Sequence, residues 1–230
     1  MKIAMVLPIF SEHCMRDYLG INLIVDFLEK NNFNVECIDL NETLVTYLLS
    51  DQSLISQLFL ARIAQAKSAD SPYLKYFELY LDQIRQQSTV SGLKKNLCYD
   101  YFFKNTVLSN FNLDHYAGKS VSDINRRLPE AMPLLNDYLA FMAKDLTEKA
   151  YDAILISVPH IDQFVPGLLF GKQLKTTGFT GKIILGGSSI TLLDDGVLSD
   201  YVDNGYFDYF VKYSGEENCN NDIQTGVVLF

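Results

Sequence analysis

Hydrophobic positions follow two rhythms along this chain, and the change of rhythm divides it into segments. Lys2 to Phe10 (KIAMVLPIF) is an almost unbroken apolar run, the pattern of a parallel strand covered on both faces. Asp17 to Asn31 then sets Leu19, Leu23, Ile24, Phe27 and Leu28 at helical spacing, and Asn31-Asn32 end that helix. Asn34 to Leu40 (NVECIDL) reads as a second strand. Two such strands joined by a crossover helix make a right-handed βαβ unit.

From Leu44 to about Ala150 the spacing is helical. LVTYLLSDQSLISQLFLARIAQA, YLKYFELYLDQIRQQ and LPEAMPLLNDYLAFMAKDLTEKA are separated by Ser71-Pro72, Ser91-Gly92 and the stretch Asn110 to Ser120. Ser120 with Asp123 is spaced to cap the last helix. The βα alternation resumes at Tyr151. Asp152 to Val158 (DAILISV) predicts a third strand, Phe164 to Lys175 a helix stopping at Gly178, and Lys182 to Leu185 a fourth strand meeting Gly186-Gly187. Leu192 to Val202 predicts a short helix, and Phe207 to Val211 a fifth strand.

The predicted fold class is therefore α/β: a Rossmann-like, doubly wound, five-stranded parallel sheet with a helical insertion between strands 2 and 3. Residues 1–43 and 151–217 form the sheet domain, 44–150 the insertion, and 218–230 a tail without this pattern. That tail reads as a flexible end, or as a late strand or plug using Val227 to Phe230.

Composition narrows the function. With 230 residues and 48% hydrophobic side chains, the chain can bury a core without disulfides or a structural metal. A net charge of −9 with no basic cluster repels phosphate backbones, so no nucleic-acid partner is expected. Cys14, Cys37, Cys98 and Cys219 lie far apart, and without any CxxC pair they read as reduced packing residues. The N-terminal run contains Pro8 and ends in SEHCMRD, unlike a signal peptide. No stretch reaches the roughly 20 apolar residues of a membrane span. A cytoplasmic location with no membrane partner is expected.

In an open parallel sheet, ligands bind beyond the carboxyl ends of the strands. Here those ends supply Pro8 to Cys14, Ser157 to Gln163, Gly186 to Thr191 and Tyr213 to Glu216. Small residues, hydroxyls and free backbone N–H groups at three of them suit close approach by a large flat or amide-rich ligand. Other chemistries find little support. Ser157 and Ser188 lack a His–acid partner at a detectable spacing, and GxGxxG is absent after the first strand. Asp194-Asp195 reads as a helix-start charge pair, and Glu216-Glu217 is similar. Tyr73, Tyr76, Phe77 and Tyr80 read as core or interface packing, or as the lining of a lid.

Ser157-x-Pro159, followed after 26 residues by Gly186-Gly187, is similar to the SxL…GG pattern of cobalamin-binding Rossmann-like domains, with proline where leucine is usual. More specifically, YDAILISVPHIDQFVPGLLFGKQLK, GKIILGGSSIT and FDYFVKYSGEE together resemble the N-terminal cobalamin-binding domain of B12-dependent radical SAM enzymes. The resemblance covers 1–43 and 151–217. It implies cobalamin as cofactor, with contacts from Pro8, Ser157, Val158, Pro159, His160, Gln163, Gly186, Gly187, Ser188, Ser189, Ser214, Gly215 and Glu216. Gln163 would start the helix after the third strand, and Gly186-Gly187 would press on the nucleotide tail. Bulk at either glycine is expected to block binding while the fold survives.

Two departures limit the analogy. No CxxxCxxC occurs, so this chain offers no ligands for the family's iron–sulfur cluster, and the radical chemistry is not carried over. The expectation is a domain that binds or presents cobalamin without catalysis of its own, with a radical SAM domain or subunit as its partner. The DxHxxG signature of an axial histidine is also absent. His13, in Ser11-x-His13-x-x-Arg16, lacks the aspartate that would orient its ring, and Leu113 stands where His115 would need one. Base-off, His-off cobalamin is therefore expected, its lower face covered by a non-coordinating side chain or water. His160 would hydrogen-bond the corrin amides, approach the cobalt face, or only cap its loop. The alternatives are a cofactor-free α/β interaction module, including a partner subunit of a radical SAM enzyme, and a flavodoxin-like small-molecule enzyme using the same cleft.

Overall fold

A computed structural model describes residues 1–9, 15–48, 120–125 and 133–212. Five strands form one all-parallel sheet: β1 (Lys2–Leu7), β2 (Asn34–Asp39), β3 (Ala153–Ser157), β4 (Lys182–Gly186) and β5 (Tyr209–Phe210). Their spatial order is β2-β1-β3-β4-β5. The α/β doubly wound class expected from the sequence is thus the observed one.

Pleat parity explains why the strands are apolar without alternation. On one face Ile3, Met5 and Leu7 of β1 join Leu155 of β3 and Ile184 of β4, under α1 (Leu19–Lys30). On the other, Ala4, Val6, Ile154, Ile156, Ile183 and Leu185 form the larger core with α2 (Leu40–Leu48), α3 (Pro133–Glu148), α4 (Phe164–Thr176), α5 (Ser188–Thr191) and α6 (Asp195–Asp203). The winding direction reverses between β1 and β3, so right-handed crossovers fall on opposite faces before and after that point.

The first two turns of α4, Phe164 to Gly171, are apolar and buried all round because they are sandwiched. Phe164, Leu168, Phe170 and Leu174 are fully buried, and α3 covers the side that β3 does not. The described ends of the expected insertion belong to this same core: Leu44, Val121, Ile124, Tyr138, Leu139 and Leu146 are all buried in it. Ser120 does accept the Asp123 N–H, at 3.3 Å, and donates to the Asp123 carboxylate, at the start of a helical segment described over 121–125. The aromatic run Tyr73 to Tyr80, together with His115, lies outside the described residues.

Several boundaries shift for local reasons. Pro8 has no N–H to offer the ladder, so β1 stops at Leu7 and not at Phe10. β2 passes directly into α2 at Leu40. The helix expected from Leu192 starts later, as α6 at Asp195, where Asp194 caps it by accepting the Gly196 N–H at 2.8 Å, and a separate short helix, α5, precedes it directly after Gly187. β5 is reduced to Tyr209–Phe210. Among the described residues no helix is long and apolar enough to cross a membrane.

At the amino edge of the sheet, the buried Tyr151 donates to Glu36 at 2.5 Å while Lys2 Nζ lies 4.2 Å from its ring centre. Burial, then the Glu36 hydrogen bond and charge, push the Tyr151 phenol above its ordinary value. Burial raises Tyr201 and Tyr206 as well. A phenol whose folded pKa exceeds its unfolded one gives stability that is complete below pH 10.0 and lost as the pH rises beyond it. The denaturation midpoint should therefore fall above that pH, with tyrosinate absorbance appearing as the chain unfolds. Tyr151→Phe should flatten this slope. A midpoint independent of alkaline pH would contradict the assignment.

Candidate functional site

The carboxyl ends of β1, β3 and β4 meet where the winding reverses, and a hydrogen-bond hub fixes them there. The Pro8 carbonyl accepts from the side-chain amides of Asn41, at 3.0 Å, and Gln163, at 2.8 Å. Asp39, at the end of β2, accepts from Asn41 N–H and Nδ2 and from the Met15 N–H. Asp39, Asn41 and Gln163 are all buried. Unpaired, each buried polar group would cost about 1–3 kcal/mol, so this hub is what the local sequence gains by carrying polar residues inside.

Beside the hub a cavity of about 420 Å³ opens between α1 and the sheet. That lies within the roughly 300–1,000 Å³ of small-molecule sites. Its floor is apolar, from Met5, Leu155, Ile184 and Val211, and none of the described lining residues is charged. Ser157 and Gly186 face each other in register on β3 and β4, both on the α1 side of the sheet. Ser157 is only 8% exposed, yet among the described residues its hydroxyl makes no hydrogen bond. A Cβ on Gly186 would meet nothing closer than the Val211 carbonyl at 3.6 Å. The wall can therefore take a neutral, flat or apolar group, and Ser157 offers it a buried hydroxyl that makes no hydrogen bond among the described residues.

Gly187 behaves differently from its neighbour. Its φ is +111°, and a Cβ there would lie 2.6 Å from the Val158 N and O atoms. The expectation that bulk at either glycine spares the fold is thus corrected for Gly187: its missing side chain is filled by the protein's own backbone. Val158 donates its N–H to the Gly186 carbonyl at 2.7 Å, and the Val158 carbonyl accepts from Ser189 N at 3.1 Å. The Ser188 and Ser189 hydroxyls both donate to the Pro159 carbonyl, at 2.8 and 3.1 Å. This latch ties the β3 and β4 loops together.

Of the residues singled out in the sequence, Ser157, Pro159, Gly186, Gly187 and Ser188 line the cavity. Pro8 and Gln163 form the hub, Val158 is fully buried, and Ser189 serves the latch. Exposed His160 caps a 3-10 turn (Ile161–Gln163), its N–H donating to Gln163 Oε1 at 3.3 Å. Its ring meets Tyr18 edge-on, with centroids 5.8 Å apart. Asp195 pairs with Lys212, consistent with a helix-start charge. His13, Ser214, Gly215, Glu216 and Glu217 lie outside the described residues. Sequence reading missed the cavity floor and Tyr18. Pleat parity was the available signal: Ile184 and Gly186 share a face, as do Leu155 and Ser157.

Neither the models of known families, nor curated proteins, nor solved structures match this chain. The site's own chemistry therefore carries the functional reading.

Proposed function

We propose that the protein binds cobalamin, base-off and His-off, and presents it without catalysis of its own. The observation that carries this reading is the buried Ser157 hydroxyl, without a hydrogen bond among the described residues, beside Gly186 on the wall of a neutral cavity at the carboxyl edge of the sheet. A flat heterocycle at the end of the nucleotide tail suits that cavity. Ser157 would hydrogen-bond it, Gly186 would leave it room, and the latch at Pro159 would keep the walls in place. When bound, the corrin supplies a cobalt centre that changes oxidation state. A radical SAM domain or subunit is the partner that such presentation would serve.

Purified protein mixed with hydroxocobalamin should retain corrin absorbance through gel filtration. Gly186→Val should remove that retention with an unchanged circular dichroism spectrum, since its Cβ has space and only the cavity is filled. Colourless protein after reconstitution would overturn the reading in favour of the cofactor-free module. In the Co(II) state, electron paramagnetic resonance should lack the splitting of an axial nitrogen. Splitting that disappears in His13→Ala or His160→Ala would show a histidine-ligated cobalt instead.

A further inference from the structure

The carboxyl end of α6 carries a reactive pair that the cofactor reading does not use. Asn204-Gly205 is the one Asn-Gly pair in the sequence. In such a pair the glycine nitrogen can attack the side-chain carbonyl carbon of the asparagine, because glycine has no Cβ to crowd the ring that forms. The new C–N bond closes a succinimide, and the side-chain nitrogen leaves as ammonia. Water then opens the succinimide at either carbonyl and gives aspartate or isoaspartate. Water is the only other reactant, and both residues are exposed to it.

The fold holds this pair in an unreactive geometry. Gly205, at φ +71°, donates its N–H to the Val202 carbonyl at 3.0 Å, and Tyr206 donates to the Tyr201 carbonyl at 3.0 Å. Those two bonds are the Schellman ending of a helix. The rings of Tyr201 and Tyr206, with centroids 5.1 Å apart, supply its hydrophobic contact. At Asn204 ψ is 11°, which sets the Gly205 nitrogen beside Asn204's own nitrogen and away from its side chain. The leaving amide is held as well. Asn204 Nδ2 donates to the Asp200 carbonyl at 2.8 Å and to Asp200 Oδ1 at 3.0 Å.

We propose that Asn204 is a deamidation site gated by the end of α6, closed while the cap holds and modified when that helix end opens. Helix ends open at a much lower free energy than the core, so the gate moves without global unfolding. The product then disfavours closing. A carboxylate replaces an amide that gave two hydrogen bonds to Asp200, so those donors are lost and a like charge faces the Asp200 side chain. Asp203 adds a further negative charge next to it, at the helix end where the macrodipole opposes one. None of this depends on cobalamin.

The full chain is incubated in mildly alkaline buffer, with and without unfolding urea, and digested with trypsin. In the peptide Ile183–Lys212, Asn204 is the only side-chain amide, so the mass gain of an amide-to-acid change reports this residue alone. The native chain should react at least about 10-fold more slowly than the unfolded one, since the Gly205 bond and both Asp200 bonds must break first. Asp200→Ala should speed the native reaction about 2- to 10-fold and leave the rate in urea alone. Asp200→Asn, which keeps an oxygen acceptor, should react nearly as slowly as the wild type. Asn204→Asp should melt below the wild type.

Equal rates in native and unfolded chains would overturn the gate. So would an Asp200→Ala protein that reacts at the wild-type rate. A native chain left unmodified in both forms, while the unfolded chain reacts fully, would show that the end of α6 never opens and that Asn204 is no site. An Asn204→Asp protein melting with the wild type would refute the resistance to closing. If Asp200→Ala does not fold, hydrogen exchange in the wild type decides instead. The protection of the Gly205 amide should match the slowing of deamidation, and a mismatch would mean that a different opening controls the reaction.

Discussion

Gly187→Val should destabilise the fold strongly instead of merely closing a ligand site. Two effects add. At φ +111° an L-residue is strained by about 1–3 kcal/mol. The new Cβ also lies 2.6 Å from backbone atoms of Val158, which cannot swing aside as a side chain would. To relieve that overlap the β3 and β4 ends must part, breaking the Val158–Gly186 bond at 2.7 Å and the Ser189–Val158 bond at 3.1 Å. A total loss above about 3 kcal/mol follows, a large share of the roughly 5–15 kcal/mol that holds a domain folded. At about 2–4 °C per kcal/mol for a chain of this size, thermal denaturation should show a melting point at least about 6 °C lower. A variant melting with the wild type would mean that this turn relaxes freely.

Gly171→Ala should destabilise, although alanine is the better helix former. In an exposed helix this exchange stabilises by about 0.5–1 kcal/mol. Gly171, however, sits inside α4 where a Cβ would overlap the Tyr206 carbonyl oxygen. α4 is held on both sides, by the sheet and by α3, so it cannot move away without opening the core. Overpacking of this kind costs about 1–3 kcal/mol, which outweighs the propensity gain. Gly20→Ala makes the control. It is the same chemical change on α1, with nothing within 4 Å of the new methyl, and it should be neutral or stabilising by up to about 1 kcal/mol. Urea denaturation of the two variants should therefore shift in opposite directions. Equal shifts would show that α4 has slack the close contact conceals.

The division between local and distant information is visible in single residues. Gly186 and Gly187 are adjacent and chemically identical, and nothing in the sequence separates them. In the fold both border the cavity, but Gly186 has room for a Cβ while Gly187 is pressed on the Val158 backbone. Gln163 was readable as a residue at the start of a helix on the ligand side. Its amide proves to be spent on Pro8 and His160, partners that a helical pattern cannot reveal. The late start of the expected Leu192 helix was partly legible, since aspartate is a favoured cap, and Asp194 does cap α6.

The sequence alone determined the elements: five apolar runs separated by helices, and the small residues after β3 and β4. These depend on periodicity and backbone preference within a few neighbouring residues, which a linear string records. The tertiary structure alone decided the strand order β2-β1-β3-β4-β5, and with it the crevice beside β1 and β3. It also decided that Ser157 pairs with Gly186, that their shared side of the sheet opens into a cavity, and that Tyr18 meets His160. Strand register and pleat parity set these pairings, and they exist only once distant segments have been brought together at ångström precision.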